Sequence, residues 1–153
     1  MAKVARAARV ASRQRVETIS ASPKTIASAE AGETYLIDWN TGSALTITLP
    51  AMQDGAYFKF IWITAMANNS ATVVFNSADN TAGDFAGTIV EYTTHATDGA
   101  VATETCGSHD ILTIGSSNDT SIGSWLEVVC DGSKWYWTGN IIGAAVGNAV
   151  FST

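Results

Sequence analysis

Cys106, His109 and Asp110 place a thiol, an imidazole and a carboxylate within five positions, a grouping that invites a catalytic reading. A cysteine nucleophile must be a thiolate, so it needs a base held against its sulfur in an electropositive, partly exposed pocket. Here the three groups fall in one polar run, Thr105–Asp110, with no motif that would form an oxyanion hole, and we read them as solvated loop residues. The other histidine, His95, has no Cys or His at zinc-ligand spacing. Fourteen Asp and Glu could in principle supply a glycosidase pair. Asp38, Asp54, Asp79, Asp98, Asp119 and Asp131, however, sit where turns are expected, and turn carboxylates bond the local backbone. Glu91 and Glu127 fall inside expected strands, and we place them on solvent-facing sides. Asn118 and Asp119 with Asp79 or Asp84 offer calcium-type oxygen ligands, but without a diagnostic loop spacing. No Gly-rich phosphate loop followed by Lys occurs. The expectation is a protein with no cofactor, no metal and no enzymatic activity.

Five tryptophans are many for 153 residues. Trp135 and Trp137 share one face of a strand and Tyr136 takes the other, so the pair could stack on a sugar or pack against protein. Each buried aromatic removes about 150–250 Å² from water, which favours packing. Phe58, Phe60, Trp62, Trp135 and Trp137 are accordingly candidates for packing between subunits.

The elements that position these residues read as strands. Ala44–Leu49 alternates Leu45, Ile47 and Leu49 with threonines, the period-two pattern of a half-buried strand, and Pro50 stops it. Ala56–Thr64 sets Phe58, Phe60 and Trp62 on one face, with Tyr57, Lys59, Ile61 and Ile63 on the other. Further strands are expected at Glu33–Asp38, Ala71–Asn76, Phe85–Tyr92 and Ile111–Ile114, with a closing edge strand within Ile141–Ser152. Residues 93–110 read as a long polar loop or weak hairpin. Ser124–Cys130, Asp131-Gly132-Ser133 and Lys134–Thr138 form the clearest hairpin, because Asp-Gly favours the positive φ of a tight turn. About ten short strands without a convincing helix predict an all-β fold: a single β-sandwich or jelly-roll-like barrel. Cys106 and Cys130 are expected to remain unpaired.

Charge divides the chain in two. Six of the eight Lys and Arg lie in residues 1–24, opposed there only by Glu17, so that segment carries +5 and the rest −11. Residues 1–24 are read as a basic arm, extended or short-helical, and residues 25–153 as the head. Such an arm is marginal as an isolated helix, and ordering it costs about 1–2 kcal/mol of backbone entropy per residue. Its contacts must therefore come from a partner. Lys3, Val4, Arg6, Arg9, Val10, Arg13, Arg15 and Val16 are its candidate binding residues. An acidic head is repelled by nucleic acid, so a nucleic-acid partner is unexpected. No apolar run approaches the 18 residues of a membrane-spanning helix.

The run AGETYLID, ALTITLPAMQDGAYFKFIWIT, TVVF, FAGTIV and GSWLEVVCDGSKWYWTGN resembles small structural proteins of tailed bacteriophages. In type it is most similar to capsid decoration (cement) proteins of marine phages, with related domains in tail fibres. The resemblance covers residues 30–142 and is carried best by Thr46–Ala51, Asp54–Phe58 and the Trp125–Gly139 hairpin. It implies a β-rich head that trimerises on the outer surface of the capsid and bridges subunits of the major capsid protein, and it implies no catalytic residue. The alternative is a tail-fibre or receptor-binding module whose tryptophan face recognises host surface glycans.

Overall fold

The computed structural model describes residues 15–67, 70–78, 83–94, 100–115 and 120–153. These residues form twelve strands and one 3-10 turn. In chain order they are β1 (Val16–Ile19), β2 (Lys24–Thr25), the 3-10 turn (Ser28–Glu30), β3 (Thr34–Ile37), β4 (Ala44–Thr48), β5 (Tyr57–Trp62) and β6 (Thr72–Asn76). They continue with β7 (Phe85–Thr93), β8 (Val101–His109), β9 (Ile111–Ile114), β10 (Trp125–Cys130), β11 (Trp135–Gly143) and β12 (Ala149–Ser152). A seven-stranded sheet, β1-β3-β5-β10-β11-β7-β8, packs on a five-stranded sheet, β12-β9-β6-β4-β2. The fold is the all-β sandwich that the strand pattern predicts.

The chain crosses from one sheet to the other at every step from β1 to β6. Strands two apart therefore lie side by side and run parallel: β1 with β3, β3 with β5, β2 with β4, and β4 with β6. Parallel neighbours need a crossover, usually a helix. Here a strand of the opposite sheet makes each crossover, so an all-β chain supports parallel pairing. Hairpin connections appear only later, at β7–β8 and β10–β11.

The period-two pattern decides what is buried. On β4, Leu45 and Ile47 are fully buried and Thr46 and Thr48 are not. On β5, Phe58, Phe60 and Trp62 point inward between Tyr57, Lys59 and Ile61. Phe75 of β6 crosses the interlayer space to meet Phe60 at 4.7 Å and Trp137 at 5.0 Å between ring centroids. Phe85 approaches Trp137 edge-on at 5.3 Å. Such aromatic pairs add about 0.5–1.5 kcal/mol each beyond the area they bury.

Two glycines let the backbone take shapes that side chains forbid. Gly132, at φ +87°, forms the β10–β11 turn. There Asp131 accepts hydrogen bonds from the backbone of Ser133 and Lys134, each at 2.8 Å. Gly87, at φ +131°, sits at an irregularity of the β7–β8 pairing, and a Cβ there would lie 2.0 Å from the Trp137 carbonyl oxygen.

The structure differs from the sequence reading in two places. Within residues 93–110, Val101–His109 is a nine-residue strand, β8. It reads as a loop because it is an edge strand with only one fully buried side chain, Cys106, so no apolar period marks it. Residues 16–25, assigned to the arm, instead contribute β1 and β2 to the sandwich.

Candidate functional site

The most charged constellation lies where the N-terminal segment joins the head. Ile19 of β1 is buried, and the Ile19 carbonyl accepts from the Asp38 N–H while the Arg15 carbonyl accepts from the Thr34 N–H. These contacts seat β1 on the outer edge of β3. Arg15 Nη1 lies 3.1 Å from Glu33 Oε1. Its guanidinium is 73% exposed, so the pair contributes little stability. Lys24 is more enclosed. Its ammonium reaches both Glu17 carboxylate oxygens at 2.9 and 3.0 Å and Glu30 Oε1 at 3.3 Å, and it lies 5.4 Å from the Tyr35 ring centroid. Burial alone would lower the Lys24 pKa, but the hydrogen bonds to Glu17 and Glu30 outweigh it and raise the value above the ordinary one. The Tyr35 hydroxyl is fully buried, and first burial and then the charges of Glu30, Glu33 and Glu17 push its pKa far up.

Six of the eight arm candidates, Lys3, Val4, Arg6, Arg9, Val10 and Arg13, lie outside the described residues. The other two belong to the head. Arg15 is tied to Glu33, and Val16 begins β1 opposite Thr34. Lys24, counted with the basic segment, is taken up by Glu17 and Glu30. The rest of the basic stretch, residues 1–14 with Lys3, Arg6, Arg9 and Arg13 and no acid, lies outside the described residues. The sequence offered one hint of the Lys24 pairing, the opposite charges of Glu17 and Lys24 seven positions apart. Their meeting depends on β1 and β2 entering different sheets.

The packing candidates are brought together, but inside one chain. Phe58, Phe60, Trp62 and Trp135 are 0% exposed and Trp137 is 2% exposed, all within a single core. They are not intersubunit contacts, because no part of these rings remains for another chain to cover. For the same reason Trp135 and Trp137 form no sugar platform. What the outer face of the seven-stranded sheet presents is different. Tyr92, Val101, Val129 and Tyr136 are each more than 40% exposed there. The outward residues of β5, β10, β11 and β7 include a single pair of charges, Lys59 and Glu127, joined at 2.7 Å. Lys59 also covers the Trp125 ring at 5.1 Å. Along these strands the outward residues alternate with the larger inward-pointing rings, which hide this nearly uncharged face in the sequence.

Cys106 is buried, donates to the Phe85 carbonyl at 3.1 Å and lies 3.3 Å from His109 Nδ1. Burial raises its pKa, so it is a held thiol and not a poised thiolate. Cys130 is also free and buried. Glu91 is only 2% exposed, which corrects its expected solvent-facing placement. Its carboxylate accepts from the backbone N–H of Gly147 and Asn148, each at 2.7 Å, and of Ala149 at 3.3 Å. Glu127 is held below the ordinary carboxylate pKa chiefly by the Lys59 hydrogen bond. His95, Asp79, Asp98, Asn118 and Asp119 lie outside the described residues. Among the described residues no helix is long and apolar enough to cross a membrane.

No protein-family model and no curated protein matches this sequence.

Proposed function

We propose that the chain is a structural virion protein, a capsid decoration protein that binds the outer shell and bridges subunits of the major capsid protein. The observation that carries this reading is the segregation of charge. Four cations and no acid precede Arg15, and the head that follows is strongly acidic. A segment of that kind gains stable order where acidic protein surface surrounds it. The weakly charged outer face of the seven-stranded sheet supports the reading from a second side, because it supplies apolar surface for contact between copies, proposed as a trimer, or with the shell. A decoration protein of this kind stabilises the particle because it binds assembled shell and not free subunits. Symmetry-related copies then multiply a modest interface.

The test is deletion of residues 1–14, which leaves Arg15 and β1 in place. A truncation reaching Ser22 would remove β1 and confound attachment with folding. The shorter deletion is expected to give a folded head that sediments apart from capsids, whereas the full chain co-sediments with them. Undiminished capsid occupancy by the truncated head would refute the role of the arm.

A further inference from the structure

Strand β8 ends the seven-stranded sheet, and among the described residues no strand pairs with its outer side. At nine residues it is the longest edge strand of the sandwich; β1 and β12 have four each and β2 has two. The Thr93 N–H donates to the Ala100 carbonyl at 3.1 Å, which fixes the phase of the β7–β8 ladder. Backbone groups alternate in direction along an antiparallel strand, so Ala102 and Glu104 point theirs at β7 while Val101, Thr103 and Thr105 point theirs outward. Val101, Thr103 and Thr105 are also exposed. β12 approaches the other end of β8, where the Asp110 N–H donates to the Ser152 carbonyl and the His109 ring lies 6.3 Å from that of Phe151.

An edge of this length is a template for another strand, because its open N–H and C=O groups lack partners. Proteins that keep such an edge free guard it with Lys, with Pro or by making the strand short. Residues 101–105 contain no Lys, Arg or Pro, and the irregularity at Phe85/Gly87 lies opposite the other end of the strand. We infer that β8 pairs antiparallel with β8 of a second copy of this chain, about a two-fold axis at Thr103, and so joins two seven-stranded sheets into one. That register sets Thr103 opposite itself, Val101 opposite Thr105 and Ala102 opposite Glu104. The three outward side chains are β-branched, the kind that packs well in cross-strand pairs. Glu104, the one charge of the stretch, meets Ala102 and not its own copy, so no like charges oppose. A stretch with a single charge also offers little to a strongly charged peptide. The basic leading segment is a poor occupant for that reason, and it departs from β1 at the opposite edge of the same sheet. A second copy further extends the outer face, because Tyr92, opposite Val101 in the ladder and 43% exposed, then lies on a surface continuous across the axis. This contact is two-fold and uses the sheet's edge. It is separate from the contact proposed for the sheet's face and stands whether or not the chain binds a capsid.

The experiment is analytical ultracentrifugation of the full-length protein, with hydrogen exchange on the same samples. Wild type is expected to reach twice the mass of Thr103→Pro, with a dissociation constant of about 10⁻⁵–10⁻⁴ M, as suits a small interface. Thr103→Pro removes an outward N–H at the centre of the pairing and leaves the hydrogen bonds to β7 in place. Exchange at the Val101, Thr103 and Thr105 amides should slow at least about tenfold between dilute and concentrated wild type. Two double variants read the register. Val101→Lys with Thr105→Lys sets like charges opposite each other and is expected to abolish the association. Val101→Lys with Thr105→Glu sets opposite charges together and is expected to keep it. Both leave every backbone donor intact, so they keep the test decisive should Thr103→Pro fail to fold. Equal mass in wild type and the first double variant up to about 1 mM, well above the expected constant, overturns the inference. Protection of the three amides without a gain in mass overturns it too, since the chain's own residues then cover the edge. Equal association by the two double variants overturns it as well.

Discussion

Replacing Glu91 with Gln tests whether this buried carboxylate is a structural fastener, as its contacts state, or a catalytic acid held in reserve. Its two short bonds to the Gly147 and Asn148 N–H groups are charge-assisted. Hydrogen bonds to charged groups contribute about 1.5–3 kcal/mol each and neutral ones about 0.5–1.5. Glutamine can keep its oxygen toward those two donors, at a loss of about 1 kcal/mol per bond. Its amide nitrogen must then face the Ala149 N–H, donor against donor, and orphaning that buried group costs about 1–3 kcal/mol more. The total is about 3–5 kcal/mol, a large part of the about 5–15 kcal/mol that stabilises a typical domain. Urea unfolding should show a lower midpoint with an unchanged slope. Because residues 147–149 lead into β12, hydrogen exchange at these amides should accelerate more than at β5 or β10. Stability within about 0.5 kcal/mol of wild type, with those amides still protected, would refute the reasoning.

Further outcomes follow from other parts of the sandwich. Glu127 is held below the ordinary carboxylate pKa by Lys59, so its contribution is present at neutral pH and is lost as pH falls through that lowered value. Lys59→Met should flatten this acid-side loss in a stability–pH profile, and since both side chains are 29% exposed the difference at pH 7 should be about 1 kcal/mol or less. Gly87→Ala should destabilise strongly or abolish folding, as judged by expression and circular dichroism, because the added Cβ would lie 2.0 Å from the Trp137 carbonyl oxygen. Trp137→Ala should cost about 3–5 kcal/mol in urea unfolding, as deletion of a large core aromatic does. Tyr136→Ala, on the exposed face of the same strand, should leave stability nearly unchanged and lower self-association measured by sedimentation, if that face joins copies.

Much of the sandwich is legible locally. Leu45, Ile47 and Leu49, and Phe58, Phe60 and Trp62, announce their inward faces because side chains alternate along a strand whatever its partner. The Asp131-Gly132 turn is equally local, since its hydrogen bonds span two or three residues. Strand β8 is not legible, because an edge strand buries too little to impose a pattern. Nor is the site at the root of the arm. Arg15 and Glu33 are 18 positions apart, and only the pairing of β1 with β3 brings them together.

The sequence by itself determined that this protein is all-β with a basic leading segment, because hydropathy period, turn chemistry and charge are properties of neighbouring residues. Tertiary structure alone decided where that segment ends, which aromatic rings vanish into the core, and that Glu17 and Glu30 meet around Lys24. Those outcomes depend on which strands lie side by side. That order is set by the chain's repeated crossing between two sheets, and no short stretch of residues encodes it.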